Sequence, residues 1–361
     1  MGFDGRQAAQ IDTSPASPAV AEQAVVDHKA TEQTATTPTM RAVVQDSYGS
    51  AEVLRTERID RPVIAAHEVL LRVHAAGLDR GTWHLMTGRP YLMRVIGFGF
   101  RKPRNRVAGI DVAGTVVAVG SAVGRFAVGD EVFGMSRGSF AEYAAAAQDK
   151  LALKPAACTF EQAAVSGISG GTALQALTAG RLQAGQRVLI IGASGGVGSF
   201  AVQLAKVMGA EVTGVCSTEK LEFVRSLGAG HVIDYTREDF ADGMHHYDLI
   251  IDIGGNSPLA RLRRALTPTG TAVIVGGESK GNLTGGIGRQ LRALILTPFI
   301  GQRLTGLASK ERAGDLEVLA QHIAAGTVTP SSDRSYPLDQ VPEAMRLLSA
   351  GQVRGKIAIT V

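Results

Sequence analysis

The apolar positions of this chain change their period near residue 163. Upstream of it, from about residue 40, short apolar stretches alternate with polar positions. Val69, Leu71 and Val73 occupy every second place, the spacing of a strand with one buried face. Strands are expected over 41–45, 68–73, 109–119 and 129–133, with glycine corners such as 120–124 closing a compact barrel-like module. Downstream, the runs at 187–191, 249–253 and 272–275 are almost wholly apolar, as strands covered on both faces of a parallel sheet must be. Helical spacing fills 196–208 and 219–227, and further strands are read at 211–216 and 231–233. Strand and helix alternating in this way predict an α/β fold with a doubly wound parallel sheet. A helix over 316–325, a segment over 341–348 and a strand over 356–361 close the chain.

Residues 1–39 carry no sustained apolar period and few large hydrophobic side chains. Ordering them would cost entropy with little burial in return, so a disordered tail is expected. No basic stretch leads into an apolar core, which argues against a secretory leader. A cytoplasmic location is expected.

Composition changes this picture little. Lys and Arg exceed Asp and Glu by 37 to 33, and the densest basic cluster, Arg101, Lys102, Arg104 and Arg106, lies in no nucleic-acid-binding motif. Two cysteines, Cys158 and Cys216, exclude a disulfide framework and a four-thiolate zinc site. No apolar run is long enough for stable membrane insertion; the longest, around 293–300, contains Pro298.

The strongest chemical signal is Gly192-Ala193-Ser194-Gly195-Gly196-Val197-Gly198, where a buried strand gives way to a helix. A pyrophosphate can reach backbone N–H groups only where no Cβ intervenes, and a helix N-terminus favours its charge. Gly195 and Gly196 would give that approach, and Gly198 would let the helix pack closely on the sheet. The next strand ends in Cys216-Ser217-Thr218, with no carboxylate to take the ribose hydroxyls of NAD. Ser217 and Lys220 suit a 2′-phosphate instead, so NADPH is the expected cofactor. Lys220 reads equally as an exposed helix lysine.

With these segments stand Gly109-Ile110-Asp111-Val112-Ala113-Gly114, Val128-Gly129-Asp130-Glu131-Val132-Phe133-Gly134, Gly138-Ser139-Phe140-Ala141-Glu142-Tyr143, Thr172-Ala173-Leu174-Gln175-Ala176-Leu177 and the closing Gly355-Lys356-Ile357. In this order they make the chain resemble the medium-chain dehydrogenase/reductase superfamily, in its zinc-independent quinone oxidoreductase-like branch, from Met40 to Val361. The resemblance implies a GroES-like β-rich catalytic domain, residues 40–162 and 306–361, around a Rossmann NADPH-binding domain, residues 163–305, with the active site in the cleft between. It places Ile110 where zinc-dependent members carry a ligand histidine, and Asp79 near the place of their first cysteine. No metal is expected, since zinc needs imidazole or thiolate at such positions.

Relatives often carry Asn-Pro-x-Asp where this chain reads Asp79-Arg80-Gly81-Thr82. Asp79 and Tyr91 are the catalytic candidates. Tyr91 takes the place of a tyrosine found near substrate in relatives, and simple aromatic packing is its other reading. The resemblance further assigns Thr172 to the nicotinamide side and Tyr235 to the 2′-phosphate. Gly276 and Gly277 follow a sheet strand and would border the nicotinamide, because ligands sit at the carboxyl ends of strands. The segment 283–304 is open to three readings: substrate-pocket wall, subunit contact in a homodimer, or membrane-surface element.

Hydride transfer from NADPH to a quinone or α,β-unsaturated carbonyl is the expected activity. A non-catalytic NADPH-binding sensor and an enoyl-thioester reductase are the alternatives. The expected partner is a small-molecule substrate.

Overall fold

A computed structural model describes residues 38–254, 257–276 and 285–361. The expected tail falls outside these residues except for Pro38 and Thr39, and Thr39 already opens the first strand. Gly277 and residues 283–284 also lie outside them.

β1 (Thr39–Val44) and β2 (Arg55–Asp60) pair as an antiparallel hairpin. β3 (Glu68–Leu78) follows and leads directly into α1 (Arg80–Thr87). β4 (Asp111–Val119), β5 (Glu131–Met135), β6 (Tyr143–Ala147) and β7 (Leu151–Leu153) then fold back against it. Val69, Leu71 and Val73 are buried on one face of β3, as their alternation requires. The strand runs five residues past its expected end, through Ala75, Ala76 and Gly77, because its far half is paired on both sides. β6 was not legible either: four of its five residues are alanine, a poor strand former that pairing with β3 nonetheless holds extended.

After α2 (Phe160–Ala164), capped reciprocally by Thr159 and Gln162, comes α3 (Gly167–Gly180). Three of its glycines, Gly167, Gly170 and Gly180, stand where neighbours leave no room for a side chain. A Cβ on Gly170 would lie 2.3 Å from Leu319 Cδ2. The parallel unit is then built from β8 (Arg187–Ile191), α4 (Gly196–Val207), β9 (Glu211–Cys216), α5 (Leu221–Ser226), β10 (His231–Asp234), β11 (Tyr247–Asp252), α6 (Leu259–Ala265), β12 (Leu266–Ile274), α7 (Ile287–Leu296) and β13 (Arg303–Gly306). Its six strands lie in the order β10-β9-β8-β11-β12-β13, all parallel. The order reverses at β8, which puts a ligand crevice beyond its carboxyl end.

The chain returns through α8 (Ala313–Ala324), β14 (Ser332–Pro337), α9 (Val341–Ser349) and β15 (Lys356–Thr360). β15 pairs antiparallel with β3 and parallel with β14. The seven-stranded sheet thus takes strands from both ends of the chain. β13 and β14 sit at sheet edges and are short or polar, so neither shows a buried-strand pattern. Among the described residues, no helix is long and apolar enough to cross a membrane.

Candidate active site

The glycine loop leaves β8 through Gly192, whose φ of 88° suits glycine. Gly195 is the extended N-cap residue of α4, and no side chain caps that helix, so its first-turn amides are left for a ligand. A Cβ on Gly198 would stand 2.1 Å from the Gly192 carbonyl oxygen. Any side chain there would force α4 off the loop. Ser194 is buried and Val197 packs against the core.

The start of β15 docks on this loop: the Gly355 amide donates to the Ser194 carbonyl at 2.8 Å. Lys356 then passes under Gly196, where a Cβ would meet the lysine Cγ at 2.8 Å. Its ammonium ends between two carboxylates, bonded to Asp111 and 3.5 Å from Asp79 Oδ2. All three side chains are buried. Asp79 caps α1, accepting from the Thr82 amide at 2.8 Å and the Thr82 hydroxyl at 3.1 Å. Asp111 also accepts from the Ile168 amide at 2.8 Å, which ties it to α3.

One ammonium serves two carboxylates, and their proton affinities reflect it. Burial pushes Asp111 up to about 7; the Lys356 charge opposes this and the Asp79 charge adds to it. Burial would lower Lys356, but Asp111 and Asp79 together hold it above the ordinary lysine value. Lys356 therefore stays protonated. A buried lysine opposite two buried aspartates is the feature that sequence reasoning missed. The charged residue at the head of β15, next to the apolar Ile357, Ala358 and Ile359, was its signal, since a buried charge demands a partner.

At the end of β9, Ser217 and Lys220 flank a short turn and Tyr235 lies beside them, 59% exposed. Lys220 is half-buried and donates to the carbonyls of Gly351 and Val353, at 2.9 and 2.8 Å. Burial lowers its pKa. Two acceptors leave one of its three donors for a phosphate. Asp234, next to Tyr235, is a carboxylate near the ribose position that sequence reasoning passed over. It is already engaged by the hydroxyls of Thr218 and Thr236 at 2.5 and 2.7 Å.

Thr172 is buried, its hydroxyl 3.0 Å from that of Ser309. Gly276 lies past β12, and its carbonyl accepts from Arg289 at 3.2 Å. Arg289 also pairs with the fully buried Asp252 at 2.6 Å. The structure thus gathers Gly192, Ser194, Gly195, Gly196, Val197, Gly198, Ser217, Lys220, Tyr235, Thr172 and Gly276 along the sheet's carboxyl ends and the faces beside them.

Two cavities flank α1. The larger, about 1140 Å³, is lined by Ile110, Thr82, Leu85, Met93, Phe98 and Met135 among others, with Gly286 and Gln290 contributed from α7 and its approach. Ile110 thus faces a largely apolar chamber. The smaller, about 720 Å³, lies on the other face of α1, and Tyr91 lines that one. Asp79 and Tyr91 are therefore not brought together.

Most of the chain matches known proteins. The family described as alcohol dehydrogenase GroES-like domain matches residues 65–156, and that described as zinc-binding dehydrogenase matches 227–359. A 2-methylene-furan-3-one reductase of Solanum lycopersicum is 33% identical, over 89% of this chain and 79% of that protein. An NADPH-dependent alkenal/one oxidoreductase, chloroplastic, of Arabidopsis thaliana is 35% identical over the same shares. The chain belongs to the medium-chain dehydrogenase/reductase superfamily, in its quinone oxidoreductase-like branch. Among solved structures, the quinone oxidoreductase from Coxiella burnetii superposes with a TM-score of 0.79 at 28% identity, covering 90% of this chain and all of that one.

The donor set at the expected zinc position does not fit zinc. Ile110 offers no lone pair, and Asp79 and Asp111 already hold an ammonium. Among the described residues, no cluster of three or more His, Cys, Asp or Glu side chains suits a metal.

Proposed function

We propose that this chain is an NADPH-dependent reductase of quinones or α,β-unsaturated carbonyls that works without zinc. The observation that carries the reading is the apolar chamber around Ile110 in a chain that also holds a glycine loop with an uncapped helix N-terminus. The names of the tomato, Arabidopsis and Coxiella proteins support its reductase part. So does the fit of the loop to a pyrophosphate: α4 is uncapped, and a Cβ on Gly195 would meet nothing nearer than the Gly192 carbonyl oxygen at 3.6 Å, so that side of the loop is open.

On this reading NADPH supplies a hydride, and the remaining work falls to the chain's own residues. The first-turn amides of α4 at Gly196 and Val197 bind the pyrophosphate, and Gly195, whose own amide is held by the Gly192 carbonyl, lets it approach. Lys220, with Ser217 and Tyr235, binds the 2′-phosphate. Thr172 and Gly276 border the nicotinamide. Ile110, Leu85 and Met135 would pack against the apolar body of the acceptor. Without a Lewis acid, the acceptor must already be electron-poor at carbon. A conjugated carbonyl or a quinone meets that condition better than a simple unconjugated carbonyl. The proton that completes the reduction comes from solvent. Residues 40–162 with 306–361 form the catalytic part, and 163–305 the cofactor-binding part. Asp79 is assigned as a positioning residue through Lys356, and Tyr91 takes no part in the hydride step.

The test is turnover by the purified protein across a panel of quinones, enones and simple aldehydes, with NADPH and with NADH, before and after exhaustive chelation. Oxidation of NADPH by quinones or enones, unchanged after chelation, is the expected result. Activity only with simple aldehydes, or activity lost to chelation and restored by zinc, would overturn it.

A further inference from the structure

The smaller cavity is left without a role by the reduction itself. It opens behind α1, between that helix, the turn at Tyr48–Ala51 and the end of α9. Three guanidinium groups line it, those of Arg89, Arg94 and Arg346, against one carboxylate, that of Glu52. The rings of Tyr48, Tyr91 and Trp83 complete the wall.

These groups are arranged for recognition. Arg94 is fixed in place: it donates to the carbonyls of Gly88 and Thr87, at 2.8 and 3.1 Å. It also stands 4.3 Å from the centre of the Tyr48 ring and 4.6 Å from that of Tyr91. Arg346 engages Glu52 through Nε alone, at 3.2 Å, which leaves both terminal nitrogens of its fork. Arg89 is exposed, and its guanidinium has no hydrogen bond or ion pair among the described residues. Flat aromatic walls favour a flat ligand, and planar forks favour a carboxylate or phosphate. The volume, about 720 Å³, falls within the range of small-molecule sites.

We propose that this cavity is a second ligand site, which takes a planar aromatic anion, a ring bearing a carboxylate or a phosphate. The ring lies against Trp83 and Tyr91, and Arg89 and Arg346 close on the anionic group. The site is separate from the hydride-transfer chamber, yet joined to it through one turn of chain: the Arg89 carbonyl lies 2.8 Å from His84 Nδ1, and His84 and Pro90 line the larger cavity.

The protein carries its own reporter, because Trp83 is its only tryptophan. With and without saturating NADP⁺, its emission is followed during titration with para-nitrobenzoate, para-nitrophenyl phosphate and the neutral para-nitrobenzamide. We expect saturable quenching by at least one anion, and binding of the amide weaker by roughly tenfold or more. The preferred anion then assigns carboxylate or phosphate as the natural group. The double variant Arg89→Glu/Arg346→Glu, at two exposed positions, should lose the anion by a similar factor while keeping wild-type turnover. Equal binding of the neutral amide would overturn the proposal. So would affinity unchanged in the double variant, or probe displaced by an excess of the saturated ketone product, which would place it in the larger chamber.

Discussion

Replacing Lys356 by Met tests the buried charge cluster that joins the glycine loop to the antiparallel sheet. The side chains of Lys356, Asp111 and Asp79 are 3%, 0% and 9% exposed, so solvent cannot take the place of the lost ammonium. Removing one member of a buried pair typically costs about 3–5 kcal/mol, because the remaining charge is stranded. The penalty has a defined pH dependence. Burial already holds Asp111 near 7, well above its value of 3.8 in an unfolded chain. The cost of burying it therefore builds as pH rises from 3.8 to about 7, is constant above that, and is absent at lower pH.

Lys356 holds the Asp111 pKa down, so the variant raises it further. The extra penalty appears only where the wild type ionises Asp111 and the variant resists, from neutral pH upward. Each unit of added shift is worth about 1.4 kcal/mol. Denaturant unfolding of both proteins should show a gap of about 3–5 kcal/mol at about pH 8.5. Near pH 6 it should shrink to roughly 1–2 kcal/mol, the cost of altered packing. Lys356→Met/Asp111→Asn should recover at least half of the alkaline loss, since the amide keeps an acceptor for Ile168 without the charge. A pH-independent gap, or no recovery in the double variant, would refute the electrostatic account.

Two further outcomes follow from the cofactor cradle. Gly198→Ala places a methyl 2.1 Å from the Gly192 carbonyl oxygen, so NADPH affinity measured by fluorescence titration should fall at least about tenfold; near-native affinity would show that α4 can shift without cost. Lys220→Ala should weaken NADPH several-fold and leave NADH nearly unchanged, and Ser217→Asp should reverse the preference. Lys220→Ala should also lower the melting temperature, because the ammonium anchors the turn at Gly351 and Val353. Equal losses for both cofactors would remove Lys220 from the phosphate site.

Local pattern alone determined much of this protein. The period change near residue 163 separates two kinds of sheet because strands covered on one face alternate and strands covered on both do not. The runs at 187–191 and 211–216 coincide with β8 and β9, and the glycine loop falls between β8 and α4. Such features depend on neighbours in sequence, so the sequence displays them. What the tertiary structure decided rests on residues far apart in the chain. Lys356 meets Asp111 and Asp79 only because β15 pairs with β3 and β3 with β4. Tyr91 sits on the far face of α1 because the chain turns beyond Gly88, whose φ of 62° ends that helix. β6, β13 and β14 are strands because partners supply their hydrogen bonds, although composition disfavours or obscures them. Burial, which sets the charge state of Asp111, exists only once those partners are in place.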